Sequence, residues 1–217
     1  MTGAEESAVA DAEVLRRVVR STKRFDGRVW DVRTDLVDLG DGQQVERDVI
    51  EHPGAVGIVA VDDDLQVLLV QQYRHPVSAM LWEPPAGLLD VEGEHPRDAA
   101  ARELFEEAGY LAADWFVLID AFTSPGGSNE AVRLYLARTL SEVDHDKRYV
   151  GDGEEREMPI RWVPLAQARD AVLAGALHSP LGVMGILAAA SLLLEDRPTV
   201  GLRSSDAPWL RSGTRAG

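Results

Sequence analysis

Five side chains between positions 94 and 107 have the types and spacing to do chemistry: Glu94, Arg102, Glu103, Glu106 and Glu107. Glu103, Glu106 and Glu107 stand three and four residues apart, a spacing that stacks side chains on one face of an α-helix. Carboxylates stacked in this way repel one another. A fold keeps them either because water screens them or because a divalent cation sits among them. Arg102 precedes Glu106 by four residues and can pair with it, holding that carboxylate in a fixed direction. A Glu106-Glu107 doublet on its own is more often solvated surface charge. The glycine-containing loop that leads into it, Gly87-Leu-Leu-Asp-Val-Glu-Gly-Glu94, makes the set far more specific.

The helix that must carry these groups has its own signals. Pro96 suits a first turn, where its missing N–H costs nothing, and Gly109 suits the position just past the end. Between them Ala99, Ala100, Ala101, Leu104, Phe105 and Ala108 form a stripe able to pack on a sheet. At these residues the chain resembles the Nudix hydrolases, whose box reads Gly87, Glu94, Arg102-Glu103-Leu104, Glu106-Glu107, Gly109-Tyr110 in this sequence. The spacer from Gly87 to Glu94 is one residue longer than the family's usual loop, while the register from Glu94 onward is kept. The resemblance implies that Glu103 and Glu107 bind magnesium directly, with Glu106 in the same cluster and the backbone carbonyl of Ala86 as a further ligand. It places Glu94 behind the ligands, orienting them. Oxygen donors in a chain without cysteine favour a hard cation, with Mg2+ the natural candidate and Mn2+ a possible substitute.

Three features outside the box point to the substrate. Ser124-Pro-Gly-Gly-Ser-Asn-Glu130 resembles the proline segment of the ADP-ribose pyrophosphatase branch. Gly126 and Gly127 would let the backbone approach a diphosphate or ribose, and Glu130 would accept from a sugar hydroxyl. The alternative is an ordinary tight turn between strands. Gln71-Gln-Tyr-Arg74, just before Leu81-Trp-Glu-Pro-Pro-Ala-Gly87, resembles the place where that branch puts an arginine on the diphosphate, and Arg74 has the forked donors for it. It could equally be a surface arginine at a strand end. The acidic loop Gly151–Glu157 resembles the position of the branch's catalytic base, with Glu155 first choice and Glu154 next. Trp30 and Arg47 are candidates for adenine and ribose contacts, although Trp30 could as well be core or interface.

Bulk composition bounds the rest. The chain has 217 residues and 45% hydrophobic content, enough for one well-buried core and a small appendage. No run approaches the ~20 apolar residues of a membrane span. The start, Met1-Thr-Gly-Ala-Glu-Glu, has no secretory pattern, and with no cysteine the expectation is a cytoplasmic protein. A net charge of −15 argues against a general nucleic-acid binder. That charge would also repel a phosphate substrate unless a divalent cation intervened. The histidines lack zinc spacing, and neither a nucleophile elbow nor a phosphate-binding loop occurs.

Residues 1–13 read as disordered or weakly helical, and 14–51 as a small antiparallel β unit with turns at Asp26-Gly27 and Asp41-Gly42. Residues 52–196 read as the hydrolase domain, with strands at 55–61, 67–73, 115–122, 132–138 and 160–163 and helices near 165–174 and 181–195. From Arg197 the sequence reads as an extended tail. Strands before and after the box helix predict an α/β/α sandwich around a mixed sheet. The branch resemblance implies that the N-terminal unit is exchanged in a homodimer. It also implies hydrolysis of ADP-ribose to AMP and ribose 5-phosphate. The same chemistry on another nucleotide sugar such as GDP-mannose is the nearest alternative, and a non-catalytic ADP-ribose sensor a more distant one. In every case the partner is a small nucleoside diphosphate compound.

Overall fold

A computed structural model describes residues 9–144, 146, 149, 158–195 and 201–210. Its centre is β4 (Ala55–Ala60), whose six residues are all buried. A continuous apolar run is the signature of a strand covered on both faces. β4 lies parallel to β9 (Ala131–Glu142) and antiparallel to β7 (Ala86–Leu88). β9 in turn pairs antiparallel with β8 (Tyr110–Phe122), so the sheet is mixed.

Each face of β4 feeds a different core. Val56, Ile58 and Ala60 pack with Ala99, Ala100, Leu104 and Ala108 of α1 (Pro96–Ala108). Val59 joins Leu165 and Ala168 of α2 (Leu165–Leu173) and Ile186, Ala189 and Ala190 of α3 (Pro180–Leu193). The result is the expected α/β/α sandwich. One detail differs: β5 (Gln66–Arg74), β6 (Ala79–Glu83) and β10 (Ile160–Pro164) form a separate antiparallel sheet in the order β10-β5-β6. β6 and β7 are short and flank Pro84-Pro85, which cannot donate to a ladder, so neither shows a clear alternating pattern in the sequence.

β1 (Arg17–Phe25), β2 (Asp31–Gly40) and β3 (Gln43–Glu51) make a separate antiparallel sheet, turning between β2 and β3 at Asp41-Gly42. The one buried residue on these three strands is polar: Asp35, gripped by Arg33 Nε at 3.0 and 3.1 Å. Phe25 on β1 and Val29 and Trp30 in the β1–β2 connection are exposed. A sheet with no fully buried apolar residue gains little from burial alone, and its link to the sandwich runs through the end of β3. There Ile50 N–H donates to Gly127 O at 2.8 Å, and Asn129 N–H donates to Ile50 O at 3.2 Å.

The expected extended tail is docked where it is described. β11 (Arg203–Ser204) adds to the edge of β8, and Arg133 donates to Ala207 O at 2.9 Å and Pro208 O at 3.2 Å. Arg133 is buried and also forks onto Asp120 at 2.7 and 3.0 Å. A buried guanidinium that loses its partners costs about 3–5 kcal/mol. An exposed pair such as Arg20–Glu46 contributes only about 0–1 kcal/mol. The need to satisfy Arg133 is therefore a stronger reason for docking than any surface ion pair, and tail composition does not reveal it.

Candidate active site

The box loop and α1 bring their carboxylates against the backbone of β7. α1 begins after His95, whose ring nitrogen accepts from Arg97 N–H at 3.2 Å, with Pro96 in the first turn. It ends at Gly109, with φ of 70° and its N–H on Phe105 O at 2.9 Å. The apolar stripe faces β4, which turns Glu103 and Glu107 toward Ala86-Gly87. Glu107 Oε2 accepts from Ala86 N–H at 3.0 Å. The Glu103 carboxylate lies directly on Gly87: a Cβ there would stand 2.1 Å from Glu103 Oε1 and 2.2 Å from its carboxyl carbon. Any side chain at position 87 would expel that carboxylate.

Arg102 gathers the remaining acids. Its Nε and Nη2 fork onto both oxygens of Glu94 at 3.0 and 3.1 Å, while Nη1 reaches Glu103 Oε1 at 2.6 Å and Glu106 Oε2 at 3.2 Å. The Arg102–Glu106 pair is the one the helical spacing predicts. The forked grip on Glu94 crosses from helix to loop and has no helical spacing to announce it. Arg102 holds the Glu94 carboxyl below the usual carboxylate range, chiefly through these hydrogen bonds. Glu94 first, then Glu103 and Glu106, make the Arg102 proton correspondingly harder to remove.

Among the described residues no three acidic or histidine side chains are arranged to enclose a cation, and three of the box carboxylates turn toward Arg102. The donor set nevertheless suits a hard divalent ion: oxygens only, with two carboxylates one helical turn apart on the Ala86-Gly87 backbone. The cradle that the missing Cβ of Gly87 leaves for Glu103 is the structural observation behind that fit.

Arg74, at the end of β5, is half-buried. Its Nε and Nη2 fork onto Glu83 at 3.0 and 2.7 Å, and Glu83 is itself buried. Glu83 chiefly, and Glu107 from farther away, favour the charged form of Arg74. Two donors are committed, leaving those on Nη1 for a second acceptor. Sequence reading passes over Glu83. Its signal was an acidic residue inside the apolar Leu81-Trp-Glu-Pro-Pro run, opposite a strand that ends in arginine.

In the 124–130 loop, Gly127 N–H and Ser128 N–H both return to Ser124 O, at 3.1 and 2.9 Å. A Cβ at Gly126 or Gly127 would meet nothing within 4 Å, so the backbone is open on that side. Glu130 does not project freely: it accepts from the Thr123 hydroxyl and stands 3.6 Å from His52 Nε2. Trp30 and Arg47 are exposed, and Arg47 donates to Glu46 O at 2.9 Å. Among the described residues, neither makes a hydrogen bond or ring contact with the box, Arg74 or the 124–130 loop. Glu154 and Glu155 lie outside the described residues. No helix described here is long and apolar enough to cross a membrane.

Comparison with known proteins places this geometry. The family model described as NUDIX domain matches residues 51–180. An ADP-ribose pyrophosphatase from Mycobacterium tuberculosis is 46% identical over 162 residues, covering 75% of this chain and 77% of that one. A methanol dehydrogenase activator from Bacillus methanolicus is 39% identical over 129 residues, covering 59% of this chain and 69% of its own. A solved structure described as an ADP compounds hydrolase shares the fold, with a TM-score of 0.70 at 21% identity, over 87% of this chain and 100% of that one.

Proposed function

This chain belongs to the Nudix family of hydrolases, and we propose that it cleaves the diphosphate bond of ADP-ribose, adding water to give AMP and ribose 5-phosphate, with Mg2+ as its ion. The observation that carries the reaction class is the closure of Glu103 and Glu107 onto the Ala86-Gly87 backbone, with Arg102 clamping Glu94 behind them. The similarity to the M. tuberculosis enzyme supports the choice of substrate.

Glu103, Glu107 and the carbonyl of Ala86 would hold the ion, with Glu106 beside them. When bound, a divalent ion neutralises phosphate oxygens and lowers the pKa of water. The chain's own residues do the rest. Glu83 fixes Arg74 so that its Nη1 donors can meet one diphosphate oxygen, which orients the phosphorus without further loss of side-chain freedom. Arg102 keeps the acidic cluster from springing apart between turnovers, because its cation offsets the repulsion of three carboxylates. A glutamate of the 151–157 loop, Glu155 before Glu154, takes the proton of the attacking water. The open backbone at Gly126-Gly127 leaves room for the sugar diphosphate. The exposed Phe25, Val29 and Trp30 suit a homodimer in which the N-terminal sheet of one protomer meets its partner, and the setting is the cytoplasm.

The test is a comparison of ADP-ribose, GDP-mannose and a dinucleotide polyphosphate, each with Mg2+, reading the nucleotide product and phosphate release after phosphatase treatment. ADP-ribose should lead in kcat/KM by about tenfold or more, the reach of differential contacts to base and sugar. Equal rates on all three would defeat the substrate assignment and leave the reaction class standing.

A further inference from the structure

His52, Thr123, Asn129 and Glu130 come from two separate stretches of chain and meet where the N-terminal sheet joins the sandwich. His52 N–H donates to Asn129 Oδ1 at 2.8 Å. Gly54 N–H donates to His52 Nδ1 at 3.0 Å, which makes Nδ1 an acceptor and puts the neutral ring's hydrogen on Nε2. That Nε2 faces Glu130 Oε1 at 3.6 Å, and the other oxygen of Glu130 takes the Thr123 hydroxyl. The imidazole is largely buried, so its orientation is fixed by these neighbours and not by solvent. The next residues extend the tie in both directions. Ile50 exchanges backbone hydrogen bonds with Gly127 and Asn129, and Leu89 N–H, at the start of the box loop, donates to Gly54 O at 3.0 Å.

We infer that this junction is a latch, in which His52, Asn129 and Glu130 are positioning residues that hold the 124–130 loop, and with it the substrate's seat, against the end of β3. Glu130 thereby acts through the loop. This inference rests on the proposed reading that the loop lines the ADP-ribose site. Its consequence is that the N-terminal sheet and the substrate loop move as one body. Whatever orients the sheet also sets the loop.

Asn129→Ala tests it, because it deletes one acceptor and leaves the backbone ties in place. KM for ADP-ribose should rise about five- to tenfold, the effect of one lost hydrogen bond. kcat should stay within about twofold, the pattern of weakened binding without altered chemistry. Amide exchange over residues 124–129 should quicken while β4 stays protected. Asn129→Asp, which restores an acceptor, should recover both KM and protection. Thr123→Val, which keeps the shape and removes only the hydroxyl, should shift KM in the same direction. Unchanged KM and exchange in Asn129→Ala and Thr123→Val would overturn the latch, as would a fall in kcat at constant KM. Should the wild-type chain leave ADP-ribose intact, the proposed substrate fails. The exchange comparison then decides on the latch alone, with faster exchange supporting it and unchanged exchange ending it.

Discussion

The acidic clamp on α1 and the junction around His52 each hold carboxylate side chains in place, yet they are built in opposite ways. The clamp draws its side chains from residues 94–106, and one helix sets the geometry of all but Glu94, so most of its spacing is visible in the chain. The junction joins residues 77 apart in sequence, and only the fold brings them together. The clamp is charged throughout: a guanidinium on three carboxylates. The junction is mostly neutral, resting on an amide, a hydroxyl, backbone N–H groups and one imidazole. Charge concentrated on a rigid helix suits holding an ion and a polarised phosphate. Neutral hydrogen bonds between separate segments suit setting a loop. The first should therefore govern kcat and the second KM.

The sharpest way to break this contrast is to remove one clamp carboxylate without disturbing its backbone partner. Glu103→Gln and Glu107→Gln each keep the side chain's shape, and a glutamine at 107 still has an oxygen for Ala86 N–H. Under the proposed metal roles, each should lower kcat by at least about 10²-fold, the upper range seen even for residues that only support a ligand. Melting temperature should barely move. Full activity in both variants would remove the metal assignment and with it the contrast.

Gly87→Ala probes the same site from the backbone side. The new Cβ would occupy the place of the Glu103 carboxylate, 2.1 Å from Oε1, so the carboxylate must move by an ångström or more. A displacement of that size costs about 10²-fold in rate. Wild-type kcat in this variant would show that Glu103 need not rest on the β7 backbone. Arg102→Lys follows with a smaller effect. Lysine keeps the charge but cannot fork onto Glu94, so activity should fall about tenfold, with a higher Mg2+ concentration needed for half-maximal rate. If the Arg102→Lys variant keeps the normal Mg2+ dependence, the fork is dispensable and charge alone suffices.

The same contrast explains what was legible in the sequence. Glu103, Glu106 and Glu107 show on a helical wheel, and Pro96 and Gly109 mark the ends of the helix that carries them. β4 declares itself as an unbroken apolar run. The Asp41-Gly42 turn follows from residues that tolerate positive φ, 52° and 87° here. What escaped were partners whose meaning depends on a distant segment. Glu83 fixes Arg74 across a sheet, Arg133 needs carbonyls at 207 and 208, and His52 finds Glu130 only once β3 and the 124–130 loop are joined. Local periodicity carries no record of those pairings. β6 and β7 were missed for a related reason: three to five residues around two prolines are too few to show a period.

The smallest expected effect tests the junction's neutrality. Burial holds the His52 pKa below its ordinary 6.5, and Glu130, which pulls the other way, does not fully offset this. Above that ordinary value the ring is neutral in folded and unfolded chains alike, so this group adds no pH dependence. As pH falls through 6.5 the unfolded chain takes up a proton that the folded one resists, and stability falls with it. The loss levels off below the lowered folded value, where both states carry the proton. His52→Gln has no proton to take up and should flatten this component. Melting of wild type and His52→Gln, each at about pH 7.5 and about pH 5.5, isolates it from the carboxylates, which are common to both proteins and titrate mainly lower. A smaller drop in the variant is the expected result. An equal drop would mean that His52 takes up its proton as readily in the folded protein as in the unfolded chain. The junction would then be an ion pair with Glu130, a charged device like the clamp, and the contrast between the two sites would close.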